Sequence, residues 1–318
     1  MRVRLTLAVL VVVLTAIGGA LPIQASDGPQ NGRITFGKKD PALGDTSIWA
    51  ANPDGSDQQR LTNVVSFFSD WSPDGRRIAF DFVDDVGVHL AAMTPEGGNV
   101  RQLTFGAGIQ EIPKWSPDGR WITFDASTLF PDDPAFTTSI WVMRADGSKA
   151  RQVTHDGFDV EPVFSPDGSQ IAFARITGVT AQNSQLSGIW VVNVDGTGLH
   201  EVLAPLAGLE HPDWSPDGRW LSFNIDPQVP DGLAPGAIMV VHPNGRGLRV
   251  LRKASSQFVF FKPVWSPDGR QLLTGCHDLQ AQIDKLCVVD ARGRRLKVVI
   301  STPEPVNYPA WGSHSPTG

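Results

Sequence analysis

The chain has 318 residues, 41% of them hydrophobic and 19% charged, with a formal net charge of -6. That composition suits a packed globular protein and excludes wholesale disorder. The negative charge, without a basic stripe, excludes a protein that binds nucleic acid by tracking phosphates.

Arg2 and Arg4 precede the uncharged apolar run Leu5–Ala20, and small or neutral residues lead on to Ala25 and the polar Ser26-Asp27-Gly28. This is the pattern of a secretory signal peptide over residues 1–25, cleaved after Ala25 or, alternatively, after Ala20. An uncleaved anchor is the competing reading, because the run is near the lower limit for a bilayer span. Cleavage removes two arginines and no acids, which takes the charge from -6 to -8. The expected location is periplasmic or secreted, and residues 26–318 are expected to form one domain.

Three short strand-like runs come first: Arg33–Phe36, Ser47–Trp49 and Gln59–Thr62. From there a repeat takes over. Trp71-Ser72-Pro73-Asp74-Gly75 recurs at Trp115–Gly119, Trp214–Gly218 and Trp265–Gly269, with Phe164–Gly168 differing only in its aromatic and a degenerate copy at Trp311-Gly312. The lead aromatics are 44 to 51 residues apart, a period that means a propeller or another repeat array. After each pentapeptide comes an alternating run such as Arg77–Phe80 or Trp121–Phe124, then a variable loop, then an apolar run such as Ile140–Met143 or Ile189–Val192. A turn such as Asp146-Gly147 and a last short run such as Arg151–Thr154 close the unit. Alternation with period two is strand chemistry, and no stretch shows helical periodicity.

Four antiparallel strands per unit predict an all-β, six-bladed β-propeller of four-stranded antiparallel blades. The N-terminal unit lacks a lead strand, and Asn307–Trp311 is a lead strand with nothing after it. The C-terminal strand is therefore expected to pair into the N-terminal blade and close the ring. The pentapeptide carboxylates Asp74, Asp118, Asp167, Asp217 and Asp268 read as turn residues, and the lead aromatics as core between blades.

The W-S-P-D-G repeat with its I-x-F, I-W-V-M and R-Q-L-T runs resembles the TolB-like propeller repeat, a WD40-like repeat, over essentially the whole mature chain. The resemblance implies the propeller and leaves function open. It also implies an N-terminal α/β domain, for which only Ser26–Gly32 remain here, so the expectation is a propeller without that domain.

In a four-stranded meander the short turns share one face and the variable connections the other, where specificity usually sits. There, residues at the entry to the innermost strands surround the channel mouth. Glu111, Glu161, Glu210, His211 and Lys262 are the expected polar ring, suited to a cation or a polar ligand, with an ordinary solvated rim as the alternative. The longest loops are Asp125–Thr138, Ala174–Ser187 and Asn224–Gly236. The first carries Phe130 and Phe136 beside Asp132 and Asp133, a pattern that suits a protein contact or packing of those rings on their own blade.

No G-x-S-x-G elbow, H-E-x-x-H, C-x-x-C or G-x-x-x-x-G-K motif occurs in the sequence. The expected function is an exported, non-enzymatic binding or scaffold propeller, monomeric, whose partner is an envelope or extracellular protein. Neither nucleic acid nor membrane insertion after signal cleavage is expected. No catalytic residue, metal ligand or cofactor is assigned, and a channel-bound cation stays open. The alternative is a carbohydrate-active lyase or hydrolase with its site at the central channel. Cys276 and Cys287 are an even pair in an exported chain; a disulfide between neighbouring strands is expected, with two reduced, half-buried thiols as the alternative.

Overall fold

The computed structural model describes residues 30–127, 137–155, 157–181, 183–229 and 233–314. Every regular element among them is a β-strand, and none of the described residues forms a helix long and apolar enough to cross a membrane. The signal-peptide expectation lies outside the described residues.

Strands β1 (Gln30–Asp40), β2 (Asp45–Ala51) and β3 (Gln59–Arg60) make the first sheet. The next repeat supplies β4 (Ser69–Trp71), β5 (Ile78–Val83), β6 (Gly87–Met93) and β7 (Arg101–Gln102). It is followed by β8 (Gly108–Trp115), β9 (Trp121–Ser127), β10 (Ser139–Arg144) and β11 (Arg151–Gln152). Then come β12 (Phe158–Phe164), β13 (Gln170–Val179), β14 (Gln185–Asn193) and β15 (His200–Ala207). Strands β16 (Leu209–Trp214), β17 (Leu221–Ile225), β18 (Ile238–Val241) and β19 (Arg249–Arg252) form another sheet. The last repeat contributes β20 (Phe258–Trp265), β21 (Gln271–Asp278), β22 (Ile283–Asp290) and β23 (Leu296–Ser301), and β24 (Val306–His314) ends the described chain.

The expected six-bladed ring of separate antiparallel blades is corrected by the sheet topology. Four blades stand as separate four-stranded sheets, and β4 to β11 form a single eight-stranded sheet. The two repeats in it are joined by a parallel pairing of β6 with β8, through Gly87↔Gly108 and Val88↔Ile109. The physical cause is the pair of glycines: a Cβ on Gly87 would strike the Gly108 carbonyl oxygen. Without side chains the two backbones approach closely enough to pair.

Closure follows from the first and last strands. β24 pairs antiparallel with β1, with Trp311 opposite Ile34 and Ala310 opposite Thr35, in the sheet order β24-β1-β2-β3. On the outer side the Gly55 turn, at φ 88°, abuts the Val299 carbonyl of the last repeat, a place no Cβ could occupy. The stretch Ala174–Ser187, expected as a loop, instead extends the hairpin of β13 and β14, which pair out to Val179↔Gln185.

The lead aromatics are core. Trp71, Trp115, Phe164, Trp214, Trp265 and Trp311 are all buried, each between neighbouring repeats. In the pentapeptide turns the Asp side chain accepts from the Ser hydroxyl, as in Ser116 to Asp118 at 2.6 Å, and from the backbone two residues on, as in Arg120 N at 3.0 Å. At Asp167 the hydrogen bonds from Ser165 and Ser169 hold the carboxyl below its usual range. These carboxylates are spent on the turn, which leaves the channel to other residues.

Candidate functional site

The innermost strands carry an unusual backbone at the channel mouth. Ile112, Glu161, His211, Lys262 and Tyr308 all have positive φ, between 49° and 61°. Each directly precedes a proline, Pro113, Pro162, Pro212, Pro263 or Pro309. Left-handed backbone at a non-glycine residue costs about 1–2 kcal/mol, so repeating it in five repeats requires compensation. In all five the ladder to the paired strand also shifts register across that point, for example between Glu111 and Lys114, between Glu210 and Asp213, and where Asn307 and Ala310 face Gly37 and Thr35. Such bulges re-aim side chains. The sixth entry, Phe68, precedes Ser69 rather than a proline.

Compensation comes from neighbouring repeats. Glu161 Oε2 accepts the His211 backbone N–H at 2.6 Å, and Asn224 Oδ1 accepts that of Lys262 at 2.9 Å. Within its own repeat, Asp81 Oδ1 takes the N–H groups of Phe67 and Phe68 at the sixth entry, at 2.8 and 2.9 Å. One level deeper, Asp70 accepts Trp115 N at 2.9 Å and Asp213 accepts Trp265 N at 2.7 Å, while Lys114 pairs with Asp70 at 3.2 Å. The channel wall is therefore tied from repeat to repeat by side-chain acceptors.

The mouth itself is small. Phe68, Ile112, Glu161, His211, Lys262 and Tyr308 line a cavity of about 60 Å³. His211 lies between two carboxylates, its Nδ1 at 2.8 Å from Glu161 Oε1 and its Nε2 at 4.0 Å from Glu210 Oε2. Asn224 also donates to Glu210, at 3.3 Å. The Lys262 ammonium sits 2.8 Å from the Tyr308 ring centroid and 5.6 Å from that of Phe68, and the two rings meet edge to face at 4.3 Å. A cation over an aromatic face gains from the ring quadrupole.

Burial sets the charges. It pushes the Lys262 ammonium down to about 7, against the pull of Glu161, Glu210 and Glu111. It raises Glu210, although His211 opposes the rise. Glu111 is raised by burial and by the charge of Glu161. Glu161 itself is held low: burial opposes ionisation, but the attraction and hydrogen bonds of His211 prevail. Asp125, opposite Glu111 in the ladder, is raised well above its usual value by burial and then by Glu111 and Glu161. Neither of its carboxylate oxygens has a hydrogen-bond partner.

Of the residues singled out in the sequence, Glu161, Glu210, His211 and Lys262 come together at the mouth, and Glu111 stands behind them against Asp125. Phe130, Asp132, Asp133 and Phe136 lie outside the described residues. Cys276 and Cys287 form a disulfide with a Cα–Cα distance of 6.0 Å. Cys276 lies inside β21 rather than past its end, because that strand runs on to Asp278. Sequence reasoning missed Asp81, Asp125 and Asn224. All three follow the aromatic of the I-x-F or L-x-F run, and a polar residue there, in an otherwise apolar strand, was the available signal. Among the described residues, no three His, Cys, Asp or Glu side chains converge to hold a metal ion.

The family model for the TolB beta propeller domain matches residues 133–315. TolB from Acinetobacter baumannii aligns with a TM-score of 0.71 at 20% identity, over 88% of this chain and 66% of its own, so the chain spans just under two thirds of that protein's length. A chain of a nidogen/laminin complex aligns at 0.66 with 12% identity, over 88% of this chain and 98% of that one. Oligogalacturonate lyase from Vibrio parahaemolyticus aligns at 0.54 with 14% identity, over 86% and 73%. At these identities the likeness is one of fold alone. No curated protein matches the chain.

Proposed function

Because the chain belongs to the TolB beta propeller domain family, we propose that it is an exported, non-enzymatic binding propeller that holds an envelope or extracellular protein at its channel mouth. The observation that carries this reading is the size of the mouth. Pockets that enclose a small-molecule substrate run to about 300–1,000 Å³, whereas this one offers about 60 Å³. It has room for the tip of one partner side chain. Around that point the rigid left-handed residues present Glu161, His211, Lys262 and Tyr308 as a fixed charged and aromatic rosette, the kind of surface that anchors a protein contact.

Export is supported by the residue pattern of the first 25 positions and by the buried Cys276–Cys287 bridge, a bond that oxidising compartments preserve. The signal peptide, the single domain over 26–318 and the monomeric state are part of the same proposal. So is a contact with the partner from Phe130, Asp132, Asp133 and Phe136.

The second reading, a carbohydrate-active lyase or hydrolase at the channel, draws on the likeness to the Vibrio lyase and on the close Glu161–His211 pair. The mouth is too small to enclose a sugar, which ranks it below. Immobilised protein, incubated with native envelope extract, should retain a discrete partner that Lys262→Ala and Tyr308→Ala each release. Metal-dependent cleavage of polyuronides by the purified protein would favour the second reading instead.

A further inference from the structure

Three repeats carry a tryptophan opposite a phenylalanine on adjacent strands: Phe36↔Trp49, Phe124↔Trp141 and Phe173↔Trp190. In two of them the chain covers the indole with its own cation. Lys38 Nζ lies 4.5 Å from the Trp49 ring and 3.6 Å from Glu304. Arg175 lies 4.8 Å from the Trp190 ring and pairs with Asp159 at 2.6 Å. Both cations stand two residues after the phenylalanine. The residue in that place after Phe124 is Ala126, and the position corresponding to Asp159 is Gln110.

At these two positions the third repeat thus has neither cation nor counter-ion, and over Trp141 a cleft of about 550 Å³ opens. The indole is held as it is in the covered first repeat: Trp49 Nε1 donates to Ser47 Oγ and Trp141 Nε1 to Ser139 Oγ, each at 3.0 Å. Phe105, 74% exposed, forms one wall. The polar lining is uncharged, with Gln110, Gln152, Thr104 and Thr137 the main groups, and none of the described residues that line the cleft carries a charge. Gln152 spends its amide N–H on Thr154 O, which leaves its carbonyl oxygen, and Gln110 Oε1 meets His89 Nδ1, which leaves its amide NH2.

The lining selects the ligand class. Against the described lining a charged group would lose its hydration without a counter-charge. A purely apolar side chain would cover the two amides and leave them unpaired. An uncharged ring with an apolar face and hydroxyl groups at its edge meets both conditions, and the volume falls in the range of small-molecule sites. We infer that the Trp141 cleft binds a sugar ring of a neutral oligosaccharide, stacked where Lys38 and Arg175 lie in the sibling repeats.

The full chain is titrated calorimetrically with maltotriose, cellotriose and chitotriose, beside trigalacturonate, trilysine and N-acetylphenylalaninamide. The expected result is saturable binding of at least one neutral trisaccharide, tenfold or more tighter than any of the other three probes. Ala126→Arg with Gln110→Asp, which rebuilds the Arg175–Asp159 arrangement, should weaken that binding at least tenfold with an unchanged melting temperature. Should that pair perturb folding, Ala126→Lys, which copies Lys38, gives the same readout. No saturable binding by any neutral probe, undiminished binding in the filled variants, or preference for a charged or aromatic probe overturns the inference. None of these results bears on the channel mouth, whose variants are separate.

Discussion

Asp81 is fully buried, and burial raises its carboxyl from 3.8 to about 7, against the two backbone N–H groups it accepts and with added repulsion from Glu111. From about pH 4 to about pH 7 the folded chain keeps a proton there that the unfolded chain has released. Stability from this group is therefore present at low pH and is lost as pH rises through that window. One retained proton is worth about 1.4 kcal/mol per pH unit. Asp81→Asn keeps the acceptor for Phe67 and Phe68, so its unfolding free energy should be flatter across that window than that of the parent; equal slopes would mean Asp81 is ionised throughout. Lys262 acts on the other side of neutrality. Its ammonium is lowered from 10.5 to about 7, so the unfolded chain holds the extra proton and this term favours the fold as pH rises above 7. At this scale the mouth was half legible. Glu161, His211 and Lys262 could be found because each precedes a proline at the start of an inner strand. Asn224 could not, because it accepts the backbone N–H of left-handed Lys262 from the next repeat, and Asp81 could not, because the N–H groups it accepts, of Phe67 and Phe68, lie in a connection without a sequence pattern.

At the level of strands, the repeat made the strands and their antiparallel order within each unit readable, since alternation and turn chemistry are local, but not how the units divide into sheets. The joining of β6 to β8 was not readable. It depends on two glycines from different repeats meeting across a boundary, and no local pattern records that approach. Gly87→Ala should push the two backbones apart, because its Cβ meets the Gly108 carbonyl. Amide exchange at Val88 and Ile109 should then accelerate while the β16–β19 sheet keeps its protection; unchanged exchange would show that the pairing does not need glycine. The Cys276–Cys287 bridge belongs to the same scale, since it ties β21 to β22 across a separation of 11 residues. On the chain-entropy model such a loop contributes about 3 kcal/mol. Alkylation of natively exported protein without reductant should label no thiol, and two labelled thiols would mean the strands hold without the bond.

For the whole molecule, closure and recognition are linked, because Tyr308 reaches the mouth on the same strand that seals the ring. Removing residues 306–318 should lower the melting temperature of every sheet together, since β24 also packs against β4, β20 and β21. Trp311→Ala alone should cost roughly 3–5 kcal/mol, as for other buried aromatics. A truncated chain that melts like the full one would show the ring to be held without its closing strand. The most direct test of recognition places a photo-crosslinking residue at Ile112, on the mouth, and separately at Asp118, in a pentapeptide turn away from it. Irradiation of intact envelopes should give a discrete protein adduct from position 112 and none from 118. An adduct from 118 alone, or none from either, would contradict a partner-binding mouth.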